Sequence, residues 1–322
     1  MDTTATERLR VFLREPKKVQ WTTTRRDHTH RLTSFELGSD GGFAVFGDEN
    51  GGAFVRNLDT DELTPVTTRK ARKISGVALN PSSEMVVVCD NSPTLSIASF
   101  RKELCEVKQT FSEAVRCAVF IEDAANRQNL LLSGGIRRVF LSDCATGTLI
   151  SHFDGHKGGV TAIRSWGGCL FLNTSSGDRS VRLWDIRTPR EPVREFPPVS
   201  RESPLNGLAV GSAGRLLARI DGSRILLHDI LSGKQLANYD APSTSPKSIQ
   251  FYPDSLNLVV AKPKDISIMD LQYSKPPTRR IPIRDLDTPR LLRWSPSTAN
   301  LLFVDGASLC EASLTSVDSA DV

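Results

Sequence analysis

Short apolar runs recur along the chain, among them Val86-Val87-Val88-Cys89, Val139-Phe140-Leu141, Cys169-Leu170-Phe171-Leu172 and Ile225-Leu226-Leu227. Turn chemistry separates them: Asn80-Pro81-Ser82, Asp143-Cys144-Ala145-Thr146-Gly147, Asp229-Ile230-Leu231-Ser232-Gly233, Tyr252-Pro253-Asp254 and Ser295-Pro296-Ser297. Proline presets φ and aspartate bonds the backbone two residues on, so these clusters mark reversals between strands. Long helical periodicity is absent, and the pattern predicts an all-β protein built from many short strands. Leu9, Val11, Phe12 and Leu13 fall outside it and read as either an added strand or a short packed helix. No apolar run approaches the ~18 residues that a membrane helix needs.

The spacing is that of an internal repeat. Its fullest unit runs Gly155-His156, Val160-Thr161-Ala162-Ile163, Leu170-Phe171-Leu172-Asn173-Thr174, then Ser176-Gly177-Asp178-Arg179-Ser180-Val181-Arg182-Leu183-Trp184-Asp185. This unit resembles the WD-repeat family, whose members are β-propellers of four-stranded blades with a period of ~40–45 residues. With Trp184 as the mark, equivalent points are expected at Asn57, Phe100, Ser142, His228, Met269 and Glu311. Seven marks predict a seven-bladed WD-repeat β-propeller. The N-terminal segment around Lys18–Thr22 is expected to supply the outer strand of the last blade, because a closed ring leaves only short protected edges. The expected organisation is an extension over 1–16, one propeller over 17–315 and a tail over 316–322.

His156 and Asp178, with Thr174 or Ser176 nearby, imitate a hydrolase triad. The resemblance implies a structural network instead: His156 bonds Asp178, a strand hydroxyl of Thr174 or Ser176 accepts from His156, and Trp184 caps the chain. Buried carboxylates must be paired, so such a network is worth keeping for stability alone. Asp48, Asp90, Asp221 and Asp305 take the same turn position elsewhere without the full set, and Asp48, Asp90 and Asp305 are expected to be less buried turn residues. His28 and His30 could face one side of an extended stretch, but no third ligand accompanies them. Gly233-Lys234 lacks the earlier glycine of a phosphate loop, and neither G-x-S-x-G nor H-E-x-x-H occurs, so no catalysis, metal or cofactor is expected.

Six cysteines show no C-x-x-C spacing. The start Met1-Asp2-Thr3-Thr4 does not resemble a secretory signal, so free thiols in a cytoplasmic setting are expected. A net charge of +4 is too modest to argue for nucleic acid, but its placement is informative. In a propeller the d–a and b–c loops share one face, and there fall Arg69, Lys70, Arg72, Lys73, Arg137, Arg138, Lys157, Arg179 and Lys247. Asp40, Asp59, Glu62, Glu84 and Glu191 are assigned to the opposite face. The first face also carries Glu49, Glu113, Glu202, Asp285 and Asp287, so its surplus is partial, yet such polarity would still draw an acidic protein to it and orient it.

The stretch from about Val115 to Trp294 also resembles the C-terminal propeller of nemitin-type microtubule-associated proteins. Val115-Arg116-Cys117-Ala118-Val119-Phe120, Leu141-Ser142-Asp143-Cys144, Ser165-Trp166-Gly167-Gly168, Met269-Asp270-Leu271-Gln272 and Leu292-Arg293-Trp294 carry that likeness. It implies a non-catalytic scaffold in a microtubule or axonemal assembly, with tubulin or another cytoskeletal protein as partner and a cytoskeletal or ciliary location. Trp184-Asp185-Ile186-Arg187 resembles the motif by which some propellers dock on the adaptor of a cullin-RING ubiquitin ligase, which makes Arg187 the residue of that alternative. The basic loops leave an RNA- or chromatin-associated adaptor as a third reading.

Overall fold

A computed structural model describes residues 3–15, 17, 19–66, 72–99, 106–121, 129–165, 168, 170–175, 178–198, 205–240, 244–253, 256–273, 276, 278–295 and 297–316. Helix α1 (Thr3–Arg14) and strand β1 (Val19–Asp27) come first. Blade 1 comprises β2 (Leu32–Leu37), β3 (Phe43–Asp48), β4 (Ala53–Asn57) and β5 (Leu63–Pro65); blade 2 comprises β6 (Gly76–Leu79), β7 (Met85–Cys89), β8 (Thr94–Ser99) and β9 (Glu106–Thr110). Blade 3 is β10 (Cys117–Phe120), β11 (Leu130–Gly134), β12 (Arg138–Asp143) and β13 (Thr148–Asp154); blade 4 is β14 (Val160–Ser165), β15 (Leu170–Ser175), β16 (Val181–Asp185) and β17 (Arg194–Phe196). Blade 5 holds β18 (Leu205–Val210), β19 (Leu216–Asp221), β20 (Arg224–Asp229) and β21 (Gln235–Asp240); blade 6 holds β22 (Ser248–Phe251), β23 (Asn257–Lys262), β24 (Asp265–Asp270) and β25 (Thr278–Arg280). Blade 7 joins the two chain ends, in the order β26 (Pro289–Trp294), β27 (Leu301–Asp305), β28 (Ser308–Ser316) and then β1.

Every blade is a four-stranded antiparallel meander, and each innermost strand touches the next until β26 meets β2. The chain is therefore a seven-bladed β-propeller. Its apolar runs are the second and third strands of each blade, which are buried on both faces because neighbouring blades cover them. β11, β19 and β27 show this most fully. Outer strands such as β13 are largely exposed and carry polar positions between apolar ones. Inner strands approach closely at the axis. A Cβ on Gly76 would come within 2.8 Å of the Arg116 carbonyl oxygen and 3.0 Å of Cys117 Cα, so only glycine fits there.

Cross-strand partners correct three of the expected repeat marks. Following the last paired residue of each inner strand across its blade leads to Arg56, Ala98, Ser142, Trp184, His228, Met269 and Ala312. Asn57 and Glu311 are thus each displaced by one residue, and Phe100, which lies outside the described residues, gives way to Ala98.

Closure uses more chain than expected. β1 pairs with β28 over its whole length, from Val19 opposite Ser316 to Asp27 opposite Ser308. Arg26 then bridges outward, to Glu311 in its own blade and to Asp61 in blade 1, each at 2.9 Å. The apolar residues at 9–13 form a helix. Leu9 and Phe12 of α1 are buried with Trp21, Ile281 and Phe303, and the Phe12 and Trp21 rings meet edge to face at 5.7 Å. Arg279 Nε donates to the Leu13 carbonyl at 3.1 Å, securing the helix end to blade 6. Among the described residues, no helix is long and apolar enough to cross a membrane.

Candidate interaction face and central channel

Antiparallel meanders send their b–c and d–a connections to one end, and this end gathers the predicted basic residues. Arg72 and Lys73 are exposed on the connection into blade 2, Lys157 on that into blade 4 and Lys247 on that into blade 6. Arg137 is exposed on the b–c turn of blade 3, and half-buried Arg179 takes a left-handed φ of 58° on that of blade 4. Arg138 spends its charge on Asp154 at 3.0 Å. The Arg137 and Arg138 amides donate to Glu113, whose carboxylate partly offsets this cluster. Arg69 and Lys70 lie outside the described residues.

Below the surface of this end, His156 Nδ1 and Asp178 Oδ2 are 2.8 Å apart, and Asp178 also accepts from the Lys157 and Ser180 amides at 3.0 Å. The local sequence dictates this. Gly155 adopts φ +153°, a backbone conformation strained for any residue with a Cβ, so glycine favours the turn that brings His156 to Asp178. Burial pushes the Asp178 carboxyl up, but Ser180, His156 and Lys157 together overcome it and hold it at about 2. Ser180, not singled out in the sequence, donates its hydroxyl to Asp178 at 2.9 Å. The side chains of Thr174 and Ser176 lie outside the described set. Trp184 is buried, with its ring 5.5 Å from Phe153.

Two expectations about the other blades fail. Asp48 and Asp305 are not the less buried turn residues anticipated, since they are 1% and 0% exposed. Asp305 accepts the Thr288 amide at 2.8 Å and the Asp287 amide at 3.1 Å, so it ties a d–a loop to a b–c turn as Asp178 does. Asp48 accepts the Asn50 and Gly52 amides and stands 3.3 Å from His28 Nε2. That second His–Asp pair was legible, because His28 precedes Asp48 by nearly the distance separating His156 from Asp178. Asp90 is half-buried and accepts the Ser92 amide.

His28 is thus committed to Asp48, and no group of three His, Cys, Asp or Glu among the described residues could hold a metal ion. Cys89, Cys117, Cys144 and Cys310 are free thiols, and burial pushes Cys117, Cys144 and Cys310 up to about 12. Arg187 is 71% exposed but oriented by Asp185, with Nη2 2.6 Å from its carboxylate.

Sequence reasoning also missed the axis. Glu36 of β2, Arg164 of β14, Gln250 of β22 and Arg293 of β26 occupy one level of the ring, each paired with the same position of its second strand. Glu36 and Arg293 form a two-pronged ion pair at 2.7 and 2.9 Å across the junction of blades 1 and 7. Arg164 faces them from blade 4. Glu36, Arg164 and Arg293 line both cavities of the channel, one toward the basic end and one toward the other. Only blade-by-blade register exposes this layer, since its residues lie far apart in the chain.

No family profile matches the chain. It is similar to the target of rapamycin complex subunit LST8 of Saccharomyces cerevisiae, at 32% identity over 72 residues. The match covers 22% of this chain and 24% of the relative, so it spans about a quarter of that protein's length.

Proposed function

We propose that this WD-repeat propeller is a non-catalytic scaffold that serves as a subunit of a multi-protein assembly and docks an acidic partner on its d–a/b–c end. The ring of seven four-stranded blades and the likeness to LST8 support a WD-repeat propeller, a fold that presents surfaces for protein interaction. The observation that carries the docking end is the exposed set Arg72, Lys73, Arg137, Lys157 and Lys247 at one end of the ring. The relative's name makes it a complex subunit, and the same role suits a chain whose exposed charge is partly sorted by face. Microtubules, whose surface is acidic, are the specific partner we propose from the nemitin-type likeness.

Co-sedimentation with microtubules and cross-linked affinity purification test this directly, on wild type and on a variant carrying Arg72→Glu, Lys73→Glu, Arg137→Glu and Lys157→Glu. Loss of bound partner with an unchanged melt is expected. Unchanged binding would overturn the basic end as the docking surface. Arg187 supports a second reading, because Asp185 holds its guanidinium outward in one orientation suited to an adaptor. Recovery of a ubiquitin-ligase adaptor by wild type but not by Arg187→Ala would favour it.

A further inference from the structure

We propose that the channel chamber on the basic side of the ring binds a small free oxyanion bearing phosphate or carboxylate groups, with Arg164 as its anchor and Lys247 at its mouth. The inference is independent of which protein docks on the surface. The chamber encloses about 300 Å³, at the small end of the range typical of metabolite pockets. Its floor is the layer of Glu36, Arg164 and Arg293, which also roofs the second cavity. That division favours a compact ligand over a peptide threaded along the axis.

Charge within the layer does not balance. Glu36 is taken up by Arg293 through two charge-assisted bonds. Arg164 Nη1 donates to the Ile163 carbonyl at 2.9 Å, and its remaining donors meet no partner among the described residues. Burial, and then the neighbouring Arg293, lower Arg164 to about 10, so it stays protonated at neutral pH. Glu36 attracts Arg164 as well, but one carboxylate faces two guanidiniums, so the layer keeps an excess positive charge that a bound anion would offset. The Ser248 hydroxyl accepts the Leu292 amide at 3.2 Å, which leaves its own proton to donate, and Lys247 beside it is exposed where the chamber opens.

Calorimetric titration of the full chain with tripolyphosphate, inorganic phosphate and citrate at low salt tests this. We expect saturable one-to-one binding of at least one probe, weakened about tenfold or more by Arg164→Gln. Comparing citrate with the phosphates identifies the class of oxyanion. Glu36→Gln should tighten binding several-fold, because it frees Arg293, and Lys247→Gln should weaken it. Arg164→Gln should melt no lower than wild type without anion and gain nothing from it, whereas a purely structural arginine would lower the melt. The double variant Arg72→Glu/Lys73→Glu should retain binding, which separates this site from the docking surface. Absence of saturable binding, an affinity indifferent to both Arg164→Gln and Glu36→Gln, or loss of binding in the Arg72/Lys73 variant would overturn the proposal.

Discussion

Asp305 and Asp178 show how one turn position can be satisfied by different chemistry. Asp178 draws on a histidine and two amides, whereas Asp305 takes two d–a loop amides and has Arg25 3.9 Å away. Because burial is more complete at Asp305, removing either carboxylate strands its donors, and we predict that Asp305→Ala and Asp178→Ala each cost about 2–4 kcal/mol in denaturant melts. Asp90→Ala should cost under about 1.5 kcal/mol, since its carboxylate is only partly buried and remains in reach of water. A melt of Asp305→Ala matching wild type would show that its loop contacts carry no stability. His228 stands where blade 4 has Trp184, edge-on to Phe196 at 5.4 Å, and burial followed by nearby Arg219 lowers its pKa to about 4. Between pH 6.5 and 4 the unfolded chain binds a proton there that the folded chain refuses. Stability therefore falls as pH drops through that window, by about 2–3 kcal/mol. His228→Phe should flatten this acid limb, read as the difference between the two pH–stability curves. Parallel curves would show that His228 titrates normally.

At the scale of elements, the sequence was most readable where both faces of a strand are covered. Val86–Cys89 and Leu130–Leu132 announce themselves as apolar runs because neighbouring blades enclose them. The outer strands β5 and β25 are three residues long and mostly exposed, and the equally short β17 buries only Phe196, so packing leaves little mark on their composition. The axial layer was invisible for a different reason: Glu36, Arg164 and Arg293 meet only through ring closure, and nothing local distinguishes them from surface charges. Helix α1 was ambiguous because Leu9, Val11, Phe12 and Leu13 suit either periodicity. Tertiary contact decided, with Leu9 and Phe12 turned together onto Trp21 and Ile281. We predict that Phe12→Ala costs about 3 kcal/mol, as loss of a buried aromatic ring against a fixed wall should. A loss under about 1 kcal/mol would mean that the helix contributes nothing to the closure it covers.

For the whole molecule, the sorting of charge matters more than its sum. Exposed Arg72, Lys73, Arg137, Lys157 and Lys247 outnumber exposed Glu49, Asp285 and Asp287 at one end. Exposed Asp40, Asp59, Glu62 and Glu84 share the loops of the other with exposed Arg187, Arg190, Arg215 and Lys234, so the sorting is partial. A net charge of +4 would steer a partner weakly, but a dipolar disc turns the approaching surface before contact. Its range is set by salt, about 10 Å at 0.1 M ionic strength. Association with an acidic partner should therefore slow by about tenfold between low and physiological salt, with dissociation changing much less. Reversing Arg72, Lys73 and Lys157 should remove most of that salt dependence. Reversing Asp40, Asp59 and Glu84 should lower the association rate only slightly, because these charges orient the disc without touching the partner. Stopped-flow association against salt for the three proteins separates steering from simple attraction. If both reversals slow association equally, the partner does not choose between the ends and the polarity plays no part in docking.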